Sequence, residues 1–373
     1  MSLKPIKTLD DVKDYLYAGM QLEHATIPTY ITTMYSIHPD TNLEAYNLIR
    51  VIVIEEMLHL TLAANILNAV GGTPDMMKEG FLPEFPTYLP NGETDFEVSI
   101  APFSHSTVDM FLEIERPAKP EEENTGVRLK AVNPSQKRYL LPCLKDENDQ
   151  DVSYYSIGDF YKAIEEGLEM LCDELGEENV FVGDKSRQVT PEYYYSGGGD
   201  IVPVYDLESA KQAIRLISEQ GEGFEGGIYD YEGELAHYYR FQQLKLGKYY
   251  HKGDQADEPT GEALSIDWEA VYPIKTNAKM DEYPKDSELY AANLKFNQYY
   301  KNFMDKINTA FNGKPETLIP AIGGMFIIKQ MAYEIIKNPI PGQEGMNATP
   351  TFEVDKVELL SDEELNVVTP QHG

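Results

Sequence analysis

Two short stretches of this chain repeat a pattern that can hold a metal ion: Glu56-Met57-Leu58-His59 and Glu234-Leu235-Ala236-His237. On a helix, side chains three apart stand on one face, a turn from each other. A carboxylate and an imidazole so placed can grip one metal ion, and the carboxylate can reach on to a second. Helical bundles that hold two metals use two such pairs and add one Glu from each of two other helices. Oxygen-rich ligation with two imidazoles and no thiolate suits iron first and manganese second, ahead of zinc or a soft metal.

The two single glutamates should lie on the helices that precede the pairs. Glu23, within Gln21-Leu-Glu-His-Ala-Thr26, serves the first. Glu219 and Glu222 both serve the second, and both stay open. Glu222 is preferred because its connection to Glu234 is short and its flanking glycines allow close backbone approach. The expected ligands are therefore Glu23, Glu56, His59, Glu219 or Glu222, Glu234 and His237.

A single Glu-x-x-His arises easily by chance, and a lone helical Glu is usually solvated. Context raises the odds here. Glu56 and His59 interrupt an apolar run that includes Ile52, Val53, Leu58, Leu60 and Leu62. Burying a carboxylate without a partner is costly, and a metal removes that cost. His24 points about 100° away from Glu23, which makes it a supporting or surface group. Glu55 is one place off the ligand register and faces solvent or a neighbouring helix. His38, His105, His251 and His372 fall in loops or tails. Tyr30, Tyr238 and Tyr239 read first as aromatic packing, with radical transfer or substrate stacking as other roles.

The elements that position these residues are helices. Apolar spacing predicts them over 9–36, capped by Thr8 or Asp10, and over 41–70, capped by Thr41 or Asn42 and ended by Gly71-Gly72. Pro28 predicts a kink or break in the first. Further helices are predicted over 104–116, 157–175, 206–222, 231–247, 286–311 and 315–337. Prolines and Asn91-Gly92 make 73–101 a loop. Residues 118–152 are polar, with a hairpin near Arg138–Leu144. Ser196-Gly-Gly-Gly-Asp200 lacks the lysine and helix opening of a phosphate loop and reads as a turn.

The bulk properties narrow the partners. The chain has 373 residues with 31 Lys+Arg against 63 Asp+Glu, a formal charge of -32. Such a field repels nucleic acid and anionic membranes. Two cysteines, Cys143 and Cys172, do not make a disulfide framework. The first 20 residues have no apolar core, and Glu55, Glu56 and His59 break the most apolar stretch. The expectation is no membrane span and a cytoplasmic location.

Several ordered segments resemble the iminophenylpyruvate dimer synthase family. They are Gln21-Leu-Glu-His-Ala-Thr-Ile-Pro-Thr-Tyr30, Ile54-Glu-Glu-Met-Leu-His-Leu60, Leu89-Pro-Asn-Gly92, Phe111-Leu-Glu-Ile-Glu-Arg-Pro117, Glu219-Gln-Gly-Glu-Gly223 and Leu235-Ala-His-Tyr-Tyr-Arg-Phe241. The resemblance implies a mainly α fold, a ferritin-like four-helix bundle with extra helices and loop-rich insertions. It places that domain at 1–340, with insertions at about 73–152 and 251–284, and leaves 341–373 as an acidic extended tail. It implies an oxidoreductase of secondary metabolism, of the kind that couples two indole-3-pyruvate imine molecules on the way to bisindoles. Joined to the Glu/His set, the expectation is a di-iron oxidoreductase that uses O2 or peroxide on a small organic substrate, with a homo-oligomer as a possible state. The rival expectations are an iron-handling ferroxidase or storage protein, and a metal-binding scaffold without catalysis.

Overall fold

The computed structural model describes residues 6–118, 127–129, 152–361 and 364–365. Helix α1 spans Leu9–Ser36. Thr8, not Asp10, caps it: its hydroxyl accepts the Asp11 amide (3.1 Å), and the Asp11 carboxylate accepts the Thr8 amide (2.8 Å). The helix runs through Pro28 as one element. The turn around Pro28 is wholly buried, and packing outweighs the missing backbone bond.

Helix α2 spans Leu43–Ala69. Asn42 does not cap it through its side chain. Its amide instead exchanges hydrogen bonds with the Asp267 backbone, both 2.8 Å, tying the start of α2 to the 251–284 segment. Helix α3, His105–Ile114, is capped by Ser104 and followed by Pro117. Helix α4, Ile157–Leu175, starts at Ser156 and is followed by a single turn, α5, Glu177–Val180, which the sequence reading lacks. Helix α6, Leu207–Glu222, is capped by Asp206.

Helix α7 spans His237–Leu246 and so begins later than the expected 231. Asp230 is the cause. Its carboxylate and backbone N–H both bind Glu234, each at 2.8 Å, and Ala236 N–H donates to Ile228 (3.1 Å). Residues 228–236 are thereby folded into a closed turn and cannot be helical. The stretch expected at 286–311 is α8, Glu288–Phe311. The one expected at 315–337 is divided at Gly323-Gly324 into α9, Leu318–Ile322, and α10, Met325–Ile336. Strands β1, Val127–Leu129, and β2, Val152–Tyr154, pair antiparallel. The hairpin expected near 138–144 lies outside the described residues.

The packing makes α2 the centre. It lies along α1 and touches α6, α7 and α8, while α4 pairs with α6 and α3 with α7. The loop after α2 is part of the core, through Met76, Phe81, Phe85 and Val98. The stretch that follows α10 is also held. Ala348, Phe352, Val354 and Val357 are buried, so residues 348–357 are a packed strap and not a free tail. Among the described residues, two stretches, Leu43–Ala69 and Pro315–Ile336, are long and apolar enough to cross a membrane by length and composition. In the fold, 83% of the apolar window of the first is buried, against 28% for the second. Glu55, Glu56 and His59, which interrupt the first, are buried, while Glu44 and Arg50 near its start are exposed.

Candidate metal centre

Five side chains from four helices meet inside the bundle. Glu23, Glu56 and His59 form one triad; Glu56, Glu115 and His237 form another. Within each, one ligand atom per residue lies within 4.8 Å of the others, and every member is buried. Glu56 belongs to both, and its Oε1 faces both histidines.

The helices explain the meeting. Glu56 and His59 share the inward face of α2, where burial is continuous from Leu58 to Ala69. Glu23 reaches them from the buried middle of α1. Glu115 follows the last turn of α3, on the side marked by Val108, Phe111 and Leu112. His237 is the first residue of α7, brought in by the turn that Asp230 closes.

Both histidines turn Nδ1 toward the cluster. His59 Nδ1 is 3.5 Å from Glu23 Oε2 and 4.0 Å from Glu56 Oε1. His237 Nδ1 is 3.0 Å from Glu56 Oε1 and 3.4 Å from Glu115 Oε2. The His237 Nδ1 atom is buried and makes no aligned hydrogen bond to either. A buried polar atom in that state calls for an explanation. A cation among three carboxylates and two imidazoles supplies one, and the donor set fits iron or manganese.

The other ring nitrogens are occupied. His59 Nε2 lies 2.9 Å from Gln220 Oε1, and Gln220 Nε2 donates to the Gly198 carbonyl (2.8 Å). The amide is thus oriented so that Nε2–H of His59 donates to it and Nδ1 keeps its lone pair. His237 Nε2 lies 2.9 Å from Glu55 Oε2. Tyr161 Oη donates to Glu23 Oε1 (2.6 Å), and Tyr30 Oη donates to Glu115 Oε1. The Thr26 hydroxyl is 3.0 Å from Glu56 Oε2.

The electrostatics describe a centre short of positive charge. Burial, then the nearby Glu115 carboxylate, raises the Glu56 carboxyl to about 8. Burial pulls His59 down, but hydrogen bonding to Glu23 and the charges of Glu23 and Glu56 overcome it, and its pKa is raised. For His237 burial is likewise overcome, by Glu115 first and then Glu55 and Glu56, and its pKa stands well above the ordinary imidazole value.

The expected ligands divide. Glu23, Glu56, His59 and His237 come together; Glu219, Glu222 and Glu234 do not join them. Glu234 has a side chain 69% exposed and faces Arg240 at 3.8 Å, because α7 starts after it. Glu222 lines the cavity beside the cluster, but its carboxylate takes the Ala118 and Gly158 amides (2.9 and 2.6 Å). It thereby braces the start of α4. A Cβ at Gly158 would come within 2.6 Å of that carboxylate, so any larger residue there must push it aside. Burial raises the Glu222 carboxyl to about 7, against the pull of the Ala118 and Gly158 amides. Glu219 is buried but does not line the cavity.

Two residues were missed. Glu115 takes the place meant for Glu219 or Glu222. It lies three, four and seven positions after Leu112, Phe111 and Val108, which is the signature of the buried face of α3. Glu55 is buried, reaches to α7 and holds His237. His24 is buried against Phe81 and Tyr300, away from the cluster, and burial lowers its pKa to about 3, so it is neutral. His105 stacks on Trp268, and His38 meets Tyr272 edge to face.

These features define a class: a helical bundle with interior carboxylates and imidazoles set at metal-holding distances. The chain belongs to the ferritin-like family, whose model matches residues 16–246, more than half of its length. A solved ferritin-like protein from Caulobacter vibrioides is similar in fold. It has a TM-score of 0.59 and 22% identity, and the match covers 89% of this chain and 97% of that one. No curated protein sequence matches.

Proposed function

We propose that this protein is a di-metal carboxylate oxidoreductase, with iron the favoured metal and manganese the second choice. It would use O2 or peroxide. The observation that carries the reading is the sharing of Glu56 between two buried Glu/His triads. Glu23 and His59 would hold one ion, Glu115 and His237 the other, and Glu56 would bridge. Iron held by these residues would supply reducing equivalents to O2 or peroxide. The chain contributes the rest. Tyr161, Tyr30, Gln220 and Glu55 fix the ligands, and the apolar helices exclude bulk water.

The substrate in this reading is a small organic molecule, and the resemblance to the iminophenylpyruvate dimer synthase family supports an aromatic imine or keto acid. The cavity beside the cluster is small, about 10 Å³, bordered by Ile157, Gly158, Ser218 and Gly221. An organic substrate would need the α4 start and the α6 end to separate. That tightness favours a second reading, in which ferrous ions themselves are the substrate of a ferroxidase. A cytoplasmic location and a homo-oligomeric assembly complete the proposal.

The test is anaerobic Fe(II) loading of the chelator-stripped protein, then exposure to air. About two iron ions per chain, with an oxo-bridged ferric band, support the reading. Stoichiometric loading with no substrate consumed from an aromatic imine and keto acid panel, but with turnover of excess Fe(II), selects the ferroxidase. No stoichiometric metal overturns both.

A further inference from the structure

The contacts behind the two triads run in parallel with one departure. Each outer carboxylate accepts from a buried phenol, Glu23 from Tyr161 and Glu115 from Tyr30. The two imidazoles lie nearly face to face, 5.4 Å between centroids and 24° between planes. Each presents Nδ1 inward, and each Nε2 lies 2.9 Å from an oxygen. Behind His59 that oxygen belongs to the neutral amide of Gln220. Behind His237 it belongs to the carboxylate of Glu55.

This departure is built in. Gln220 is fixed by the Gly198 carbonyl, so it can only offer its oxygen to His59. Glu55 is buried, with Arg240 Nη2 at 3.5 Å, and Arg240 is anchored to the Leu235 carbonyl. A carboxylate accepts a stronger bond from an imidazole N–H than an amide does and draws the proton toward itself. The opposite nitrogen becomes a better electron donor.

We propose that Glu55 and Gln220 are positioning residues that make the two metal positions unequal, the His237 position binding first and more tightly. The proposal rests on the di-metal reading above. It extends it by giving an order of filling.

The experiment is an anaerobic titration of the metal-free protein with Co(II), followed by its visible absorption. His59→Ala and His237→Ala assign the phases. Wild type should fill in two phases separated by about 10–100-fold in affinity, and only His237→Ala should lose the tighter one. Glu55→Gln should weaken that phase until the two merge, and Gln220→Glu should tighten the other. Imidazole 15N spectra of the Zn(II)-loaded protein give a second readout. Two separate Nδ1 signals should draw together in Glu55→Gln, and circular dichroism confirms that the variant is folded. Two equal sites in wild type overturn the proposal, as does an unchanged separation in folded Glu55→Gln. Absence of stoichiometric binding in wild type is a different failure, and it sinks the di-metal reading itself.

Discussion

The segments Glu56–His59 and Glu234–His237 have the same spacing and opposite outcomes. The first lies in the middle of α2, so both side chains point inward and both triads use it. The second straddles the start of α7: His237 enters the cluster while Glu234 stays outside it, largely exposed. The difference teaches that a three-residue spacing converges on an ion only where the backbone is already helical. The vacant carboxylate role is filled from elsewhere, by Glu115 at the end of α3.

The sharpest way to break this comparison is to remove the shared ligand. Glu56→Ala should take metal content from about two ions per chain to near none, as measured by elemental analysis. Retention of even one ion at full affinity would refute its bridging place. Glu115→Gln and Glu234→Gln come next as a pair. The first should lose one ion or weaken it at least about tenfold, and the second should lose nothing. The reverse result would restore Glu234 as a ligand.

A smaller effect is expected from Gly158→Ala. The added carbon meets the Glu222 carboxylate at 2.6 Å. Overpacking of this kind costs about 1–3 kcal/mol, readable as a lower denaturation midpoint with the ligands untouched.

The pH dependence should be gentler still. The Glu56 carboxyl is raised from 4.5 to about 8 and His237 from 6.5 upward. Both groups hold protons more tightly in the folded metal-free chain than in the unfolded one. Their contribution to stability is full below the unfolded value and lost as pH rises through the folded one. Metal displaces the same protons. The gap in Tm between loaded and metal-free protein should therefore widen from about pH 6 to about pH 9. A gap that narrows would show that these protons do not compete with metal.

Much of the bundle was legible in the residues. α1, α4 and α6 begin where Thr8, Ser156 and Asp206 can cap and end where the apolar spacing stops. The late start of α7 was also written locally, in Asp230 and the left-handed Gly233 of one turn. Glu115 was readable from the apolar face of α3, though it lacks a histidine three places on to mark it. The roles of Glu55 and Glu222 were not readable. Each is fixed by a partner far along the chain, His237 for one and the start of α4 for the other, and no local periodicity encodes such a pairing.

The loop Gly197–Gly199 lies on α2, with Gly198 at φ +79° and its absent Cβ 3.0 Å from the Glu55 Cα. From there its main-chain carbonyl, not a side chain, secures Gln220 and through it His59. A histidine steadied by backbone depends on the path of that loop. Along this stretch it is the three glycines together that must be inherited: a Cβ at Gly197 would meet Tyr195 at 2.1 Å, and Gly199 holds φ +129°.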